Sequence, residues 1–300
     1  MFKNKSISDY HRLAGLPKPE HPLVSLVNYA DVRYQTDADQ ITMVSPYYSV
    51  AMKRGVNGMR YGQQPYDFDE GVMSFVSPGQ VITVPTHYPE GERPSGWLLF
   101  IHPDFLWNTP LARKIKEYEF FGYHVSEALF LSDKEEQSML QIMKNIDEEY
   151  HANIDQFSQN IIISQIDLLL SYSERFYQRQ FITRKISNHE LLTKLEGWLN
   201  EYFSKDNLAS LGLPTVNDVA NDLNVSANYL SGVIKLHSGM NTQQHIHEKL
   251  IEKAKEQLST TNLSVSQIAY GLGFEHSQSF SRLFKSKTNV SPLEFRQSFN

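Results

Sequence analysis

The chain has 300 residues, a net charge of −6 and no cysteine, with 40% hydrophobic and 21% charged residues. This length predicts two domains, the composition is typical of soluble globular proteins, and the missing cysteine excludes disulfides and thiolate metal sites. No apolar run approaches the ~18 residues of a membrane span and no secretory signal is evident, so we expect a cytoplasmic protein without membrane contact.

Residues 21 to about 110 are predicted to form short β-strands. Runs rich in Val, Ile, Tyr and Phe alternate with turns, a pattern typical of a barrel or double-sheet roll. The predicted strands are Leu23–Tyr29, Tyr47–Met52, Val72–Val76, Gln80–Val84 and Trp97–Ile101, separated by the turns Gly55-Val56-Asn57-Gly58, Ser77-Pro78-Gly79 and Pro94-Ser95-Gly96. The aromatic residues here either line an effector pocket or belong to the core: Tyr47, Tyr48, Phe68, Phe75, Trp97 and Phe100.

Residues 111 to about 180 are predicted to be helical, because glycine becomes scarce and apolar residues recur every three or four positions. One stripe contains Met139, Ile142, Met143 and Ile146, and a second contains Ile162, Ile166, Leu169, Ser173 and Phe176. Two interpretations stay open: two amphipathic helices packed on the strands, or a short coiled-coil seam. The second predicts a homodimer through helices within residues 133–180.

Residues 181–190 are polar and basic and are predicted to be a linker, after which the chain to residue 300 is almost entirely helical. Residues 181–300 contain nine Lys and three Arg against eleven Asp and Glu, so the acidic excess lies in residues 1–180. Arg282, Lys285 and Lys287 form a local basic cluster. Nucleic-acid binding depends more on such a local face than on a basic whole chain.

An internal repeat is the most informative feature of the helical part. At an offset of 49, Val216, Val219, Ala220 and Leu223 correspond to Val265, Ile268, Ala269 and Leu272. At an offset of 50, Leu230, Val233, Ile234 and Lys235 correspond to Phe280, Leu283, Phe284 and Lys285. The change of offset predicts one extra residue in the second turn, within Phe274-Glu275-His276.

Each copy has the pattern of a helix-turn-helix unit. The first helix begins at a side-chain cap with a partner three residues on, the turn is marked by Asn or Gly, and the second helix buries one face. The caps are Thr215 with Asp218 and Ser264 with Gln267, and the turn residues are Asn224 and Gly273. The free polar face of each second helix can enter a major groove, where base edges display distinct donors and acceptors.

A linking helix is predicted between the copies, from Asn241 to about Thr260. Its apolar stripe consists of Ile246, Leu250, Ile251, Ala254 and Leu258. A short closing helix follows the second copy and begins at Ser291, with Pro292 at its first position and Glu294 at its third.

Several motifs in this order resemble the AraC/XylS family of transcription regulators. They are Ile268-Ala269, Leu272-Gly273-Phe274, Ser279 to Lys285, Ser291-Pro292 and Phe295-Arg296, with Val225-Ser226, Tyr229-Leu230-Ser231 and Lys235 in the first copy. The resemblance covers about residues 190–300. The first half resembles the cupin-like sensor domain common in that family, with Ser77-Pro78-Gly79 where such domains often have a Pro-Gly turn.

The resemblance implies a multi-domain α+β protein in three parts. Residues 1–180 form a β-rich cupin-like barrel or roll with flanking helices, residues 181–190 a linker, and residues 191–300 an all-α domain with two helix-turn-helix units. It implies a bacterial-type regulator that binds double-stranded DNA and responds to an unknown small-molecule effector, with RNA polymerase as a further candidate partner. Operator sequence and direction of regulation stay open.

The resemblance also implies which side chains contact DNA. They are Ala227, Asn228, Ser231 and Lys235 in the first copy, and His276, Ser277, Gln278, Ser281, Arg282 and Lys285 in the second. Gln278 can pair bidentately with adenine, and Arg282 with guanine or a phosphate. Gly232 and Leu250 stand where relatives often carry Arg, so we hypothesise that the second unit supplies more of the direct base readout.

Catalytic, cofactor and metal chemistry have little support in the sequence. His245 and His247 point to different sides of one helix, His87 and His102 lack a ligand pattern, and Asp67-Phe68-Asp69-Glu70 is typical of an acidic loop. No phosphate-binding loop or nucleophile motif is present. We therefore expect no enzyme and no cofactor. The alternative is a cupin-like enzyme or small-molecule-binding protein whose helical part is an interaction module.

Overall fold

The computed structural model describes residues 2–54, 71–87, 95–124, 127–152, 155–183, 185–205 and 207–298. The chain divides into two compact units, Met1–Thr183 and Arg184–Asn300, which we call the sheet unit and the helical unit. The predicted turn Gly55-Val56-Asn57-Gly58 and the acidic run Asp67-Phe68-Asp69-Glu70 lie outside the described residues.

Two β-sheets form the described core of the sheet unit. A three-stranded sheet has the order β1-β3-β6, and a five-stranded sheet has the order β2-β7-β4-β5-β8. The strands are β1 (Phe2–Lys3), β2 (Val24–Asn28), β3 (Gln40–Val44), β4 (Tyr48–Arg54), β5 (Gly71–Val76), β6 (Val81–Pro85), β7 (Ser95–Ile101) and β8 (Leu129–Leu131). The mixed fold with N-terminal sheets is confirmed, whereas a cupin-like barrel stays a prediction.

All five predicted strands are present, within a few residues of their expected ends, as β2, β4, β5, β6 and β7. The strands that the sequence did not predict are β1, β3 and β8. The β5–β6 connection contains Gly79 at φ +82°, in agreement with the predicted turn at Ser77-Pro78-Gly79. The short strand β8 lies inside the region predicted to be helical. Leu129–Leu131 form a strand there because they pair with the edge of β5.

Four α-helices accompany the sheets in the described part of this unit: α1 (Ile7–Leu13), α2 (Leu111–Lys114), α3 (Asp133–Tyr150) and α4 (Ser158–Thr183). Polar side chains anchor α3 and α4. Arg54 of β4 forms a bidentate ion pair with the buried Glu136 of α3. Gln180 of α4 bonds to the backbone of β8 and of the residue before it, accepting from the Phe130 N–H at 2.8 Å and donating to the Ala128 carbonyl at 3.2 Å. These bonds fix the helices on the five-stranded sheet.

The coiled-coil interpretation of the two apolar stripes is wrong. Every apolar residue of both stripes is buried within its own chain, and the helices α3 and α4 pack against each other. Ile166 and Leu169, at the centre of the second stripe, have no exposed surface. A surface that is already dry inside one chain cannot form the seam with a second, so the packed-helix interpretation holds.

The helical unit contains eight helices within its described residues. They are α5 (Lys185–Phe203), α6 (Leu208–Leu211), α7 (Val216–Asp222), α8 (Ala227–Ser238), α9 (Thr242–Thr260), α10 (Val265–Gly271), α11 (Ser277–Thr288) and α12 (Pro292–Gln297). The stripe of the predicted linking helix is buried throughout α9. Its Leu250 has no exposed surface and belongs to the core.

The predicted linker at residues 181–190 differs from the structure in form. Phe181 to Thr183 continue α4, and α5 begins at Lys185, so the described linker residues are helical. The two units divide between Thr183 and Arg184, inside the predicted linker. Ile182, Thr183, His189 and Glu190 are exposed on these helices.

Within the part of the chain that the structure describes, no helix combines the length and the hydropathy that a membrane crossing requires.

A pair of glycine substitutions should separate backbone strain from close packing in the helical unit. An added Cβ at Gly239 meets nothing within 4 Å, whereas at Gly273 it would lie 2.7 Å from the backbone of Gly212. Gly239→Ala should therefore cost only the strain of a positive φ, about 1–2 kcal/mol. Gly273→Ala should cost clearly more in the free energy of unfolding, measured by urea denaturation. Equal costs would show that the approach to Gly212 relaxes freely.

Candidate functional site

Two helix pairs, α7 with α8 and α10 with α11, form the repeat that the sequence predicts. The first helix of each pair begins at a capping box: Thr215 with Asp218 in α7, and Ser264 with Gln267 in α10. In both, the cap hydroxyl accepts from the backbone N–H three residues on, at 3.2 Å. The predicted caps are therefore confirmed, and they fix where each pair starts.

The turns of the two pairs share one backbone feature, a residue with positive φ. Asn224 has φ +55° and Gly273 has φ +91°, so the equivalent position is left-handed in both. The turn spans Leu223 to Ser226 in the first pair and Leu272 to His276 in the second. The extra residue that the change of offset predicts is thus in the second turn.

The second helix of each pair buries one face. Leu230, Val233 and Ile234 of α8 are fully buried, as are Phe280 and Phe284 of α11. Leu283, which corresponds to Val233, is only partly buried. Because apolar residues occupy this face, the polar residues at intervening positions point away from the core.

The exposed face of α8 carries little charge. Asn228 and Lys235 are exposed, while Ala227 and Ser231 are partly exposed. The Ser231 hydroxyl is already engaged, since it donates to the buried Thr242 hydroxyl at the start of α9 at 3.4 Å. Gly232 adds no side chain to this face.

The exposed face of α11 is richer in hydrogen-bonding and charged groups. Four of the six predicted residues are exposed, namely His276, Gln278, Arg282 and Lys285, and Ser277 and Ser281 are partly exposed. Gln278, Arg282 and Lys285 follow at spacings of four and three, which places them on neighbouring positions of one face. Within the described chain, the Arg282 guanidinium has no hydrogen-bond or ion-pair partner and is available to a ligand.

Lys285 and Lys287 lie close enough to titratable groups of neighbouring helices to influence them. The Ser291 N–H donates to Glu294 at 2.7 Å and lowers the pKa of that carboxyl, and the charge of Lys285 lowers it further. Partial burial lowers the pKa of His247 on α9, and the nearby charge of Lys287 adds to this effect. The basic end of α11 therefore lies beside α9 and α12.

The repeat extends further than the sequence comparison indicated. Gly239 and Asn289 end α8 and α11 in the left-handed conformation, again 50 residues apart. The following helices both begin at capping boxes, Asn241 with Gln244 and Ser291 with Glu294. The aligned cap positions could have revealed this continuation, but their different residue types hid it.

One difference within this continuation affects the interface. Thr242 in the first copy corresponds to Pro292 in the second, which has no hydroxyl. The Ser281 hydroxyl therefore has no counterpart of the Ser231–Thr242 bond, and no other partner for it occurs among the described residues. This makes the two exposed faces chemically unequal.

A second candidate site is a cavity of about 80 Å³ between the two sheets of the sheet unit. Two of the aromatic residues considered for a pocket, Tyr47 and Phe100, line it. Tyr48 and Phe75 are buried elsewhere, Trp97 is not among its lining residues, and Phe68 lies outside the described residues. The aromatic residues are thus divided between pocket and core.

The histidines examined for metal binding make ordinary polar contacts. His245 lies 2.8 Å from the Ser238 hydroxyl, and His247 lies 2.9 Å from the Gln243 amide. Across the described ranges, no group of three or more His, Asp or Glu side chains is arranged to hold a metal ion.

Comparison with known proteins supports the interpretation of the helical unit. A family model described as a helix-turn-helix domain matches residues 219–298. The chain is 31% identical over 124 residues to the raffinose operon transcriptional regulatory protein RafR of Pediococcus pentosaceus, and 33% identical over 111 residues to the HTH-type transcriptional activator RhaS of Enterobacter sp. (strain 638). These matches cover 41% and 37% of this chain, and 42% and 37% of the relatives.

Among solved structures, the C-terminal domain of AraT, a response regulator from Geobacillus stearothermophilus, is 30% identical. The match covers 36% of this chain and 84% of that one, with a TM-score of 0.32. The chain spans about two fifths of the length of the curated relatives. The matched family and the named relatives are regulators and not enzymes, as the sequence predicts. The C-terminal region of this chain is a helix-turn-helix domain of the AraC/XylS family.

Proposed function

We propose that the whole chain is a sequence-specific transcription regulator in which α8 and α11 enter successive major grooves on one side of double-stranded DNA. The two helix pairs then act as two helix-turn-helix units joined by α9. The observation that carries this proposal is the pair of equivalent helices, each with a buried apolar face and an opposite polar face. A twelve-residue helix with an exposed polar face suits insertion into a major groove.

The two units contribute unequally under this proposal. Arg282 and Gln278 have side chains that can pair bidentately with guanine and adenine. In α8 the corresponding residues are Gly232 and Asn228, and Ser231 is held by Thr242. The second unit therefore supplies most direct base contacts. His276, Ser277 and Ser281 of this unit also contribute to them. The first supplies Asn228, a close approach at Ala227 and a phosphate contact at Lys235, and Lys285 makes the matching phosphate contact in the second.

The sheet unit is the regulatory part of the proposal. A cupin-like arrangement of its two sheets encloses the cavity, where a small-molecule effector binds and changes the affinity for DNA in the cytoplasm. RNA polymerase is the partner that receives the signal. Transcription in vitro tests this, from a promoter that carries a DNA site selected with the full chain. Transcript levels that do not change when the protein is added would contradict it.

The proposal includes a homodimer in which a second copy of the chain packs on the exposed side of α4. Ile161, Leu168 and Ile182 recur at multiples of seven residues there and are 42%, 44% and 53% exposed. Leu168→Glu should convert a dimer into a monomer in sedimentation, whereas Gln165→Glu, at a partly buried position on the Asn145 side of α4, should not. A wild-type monomer at all concentrations would exclude this interface.

The proposal is tested by binding of the full chain to duplexes selected from a random pool. Binding should weaken steeply with salt, because phosphate contacts release counterions, and a selected duplex should exceed a scrambled one at fixed salt. Arg282→Ala should cost about 1–3 kcal/mol of specific affinity. Lys194→Ala, which removes an exposed cation on α5, is the matched control. Unchanged affinity of Arg282→Ala would remove Arg282 from the interface.

The serine pair tests the asymmetry between the units. Ser231→Ala removes a bond to Thr242 and should lower the free energy of unfolding by about 0.5–1.5 kcal/mol. Ser281→Ala breaks no such bond and should leave stability within about 0.5 kcal/mol while weakening DNA binding. Chemical denaturation and fluorescence anisotropy measure the two quantities. The opposite assignment of effects would contradict the unequal roles.

A further inference from the structure

The cavity between the sheets exists because small side chains line one face of its strands. On β4, Ser49, Ala51 and Lys53 face the cavity, and the alternate residues are buried on the other side of the sheet. Ala51 is flanked by Ser74 of β5 and Leu98 of β7 in the strand register. A larger residue at position 51 would fill the space, so the small side chain of Ala51 leaves the cavity open.

One cation, the Lys53 ammonium, lines this cavity and has no anionic partner among the residues that the structure describes. The Lys53 ammonium lies 4.7 Å from the centre of the Tyr29 ring, a cation–π contact. No hydrogen bond or ion pair of Lys53 occurs within the described part of the chain, and no Asp, Glu or His is among the lining residues. The residue is partly exposed, so solutes can reach it.

The surroundings of Lys53 disfavour its charge. Burial lowers the pKa of Lys53 from 10.5 to about 8, because the charged form is partly removed from water. The ammonium is still mostly protonated at pH 7. Holding this charge destabilises the fold below about pH 8, and the cost is relieved as the pH rises from 8 towards 10.5. An anion beside Lys53 would offset the same cost.

The rest of the lining suits a small organic body. Tyr10, Tyr34 and Phe100 supply aromatic surface, and a volume of about 80 Å³ is several times the ~10–15 Å³ that one ordered water needs. Tyr47 lies six residues before Lys53, about 20 Å along an extended strand, and so lines the far end. Its buried hydroxyl has no hydrogen-bond partner of normal geometry among the described residues, although Asn4 and Ser45 lie nearby.

We propose that this cavity binds a small carboxylic acid as its carboxylate, with the Lys53 ammonium paired to the carboxylate and the aromatic side chains packed on the organic body. This proposal rests on the regulatory function above and names the chemical class of the effector. The carboxylate supplies the anionic partner that the described protein lacks, and the ion pair is strengthened because the site is partly dry.

The test measures ligand binding by the full chain with defined probes. Acetate, lactate, hexanoate and benzoate are each compared with their neutral amides by thermal shift and titration calorimetry. At least one acid should raise the melting temperature and bind, and its amide should bind about tenfold more weakly or not at all. Binding of no acid, or equal binding of acid and amide, would overturn the proposal.

Two variants locate the effect. Lys53→Met should weaken binding of the acid about tenfold or more, while raising the melting temperature without ligand because the buried charge is gone. Lys144→Met, which removes an exposed lysine of α3, should keep the preference for the acid. A Lys53→Met protein that binds the acid normally, or is less stable than wild type, contradicts a ligand role for Lys53.

The dependence on pH supplies an independent readout. Affinity for the acid should fall as the pH rises through 8, where Lys53 loses its proton. The other titratable side chains lining the described cavity are Tyr10, Tyr29, Tyr34 and Tyr47, and burial raises the pKa of Tyr10 and Tyr47. Lys53→Met should lose the pH dependence, and a wild-type affinity that is flat from pH 7 to 9 would contradict the proposal.

Failure of this proposal can be told apart from failure of the proposed function. The same protein preparation is titrated with its selected duplex without any acid. Specific duplex binding without acid binding overturns the ligand assignment alone. Acid binding that needs Lys53, in a protein that binds no duplex specifically, overturns the regulator and leaves the cavity assignment standing.

Discussion

The burial of one apolar face on α8 and on α11 is the constraint on which the rest of the helical unit depends. Leu230, Val233 and Ile234 in one helix, and Phe280 and Phe284 in the other, leave only one orientation in which each helix stays dry on its inner side. The capping boxes and left-handed turns fix where these helices begin. The outward direction of Gln278 and Arg282 is therefore a consequence of core packing.

The same scaffold is used twice, with different chemistry on its surface. Asn224 and Gly273 adopt the same left-handed conformation in the turns, and Gly239 and Asn289 end the second helices in that conformation. The surface residues have diverged within this frame: Arg282 corresponds to Gly232, and Pro292 to Thr242. Shared backbone geometry with divergent exposed residues allows two units to hold one DNA molecule while one of them reads most of its sequence.

Most of the helical unit could be predicted from the sequence, because caps, turn residues and apolar stripes act over short distances along the chain. The Ser231–Thr242 bond could not, since it joins two helices through a turn. In the sheet unit, strands with clear alternation were predictable, whereas β1 and β8 have only two and three residues, too few to show a pattern. Lys53 was not identified because a lysine becomes unusual only when the fold surrounds it with aromatic side chains.

The central claim is that two unequal units read one DNA face, and the base composition of selected duplexes tests it most directly. Selection from a random pool with the full chain should yield two blocks of specified base pairs, with centres about 10–10.5 base pairs apart. The block that becomes random when Gln278 and Arg282 are replaced together should be the more strongly specified one. A single block, or two blocks of equal strength that both survive the double replacement, would contradict the account.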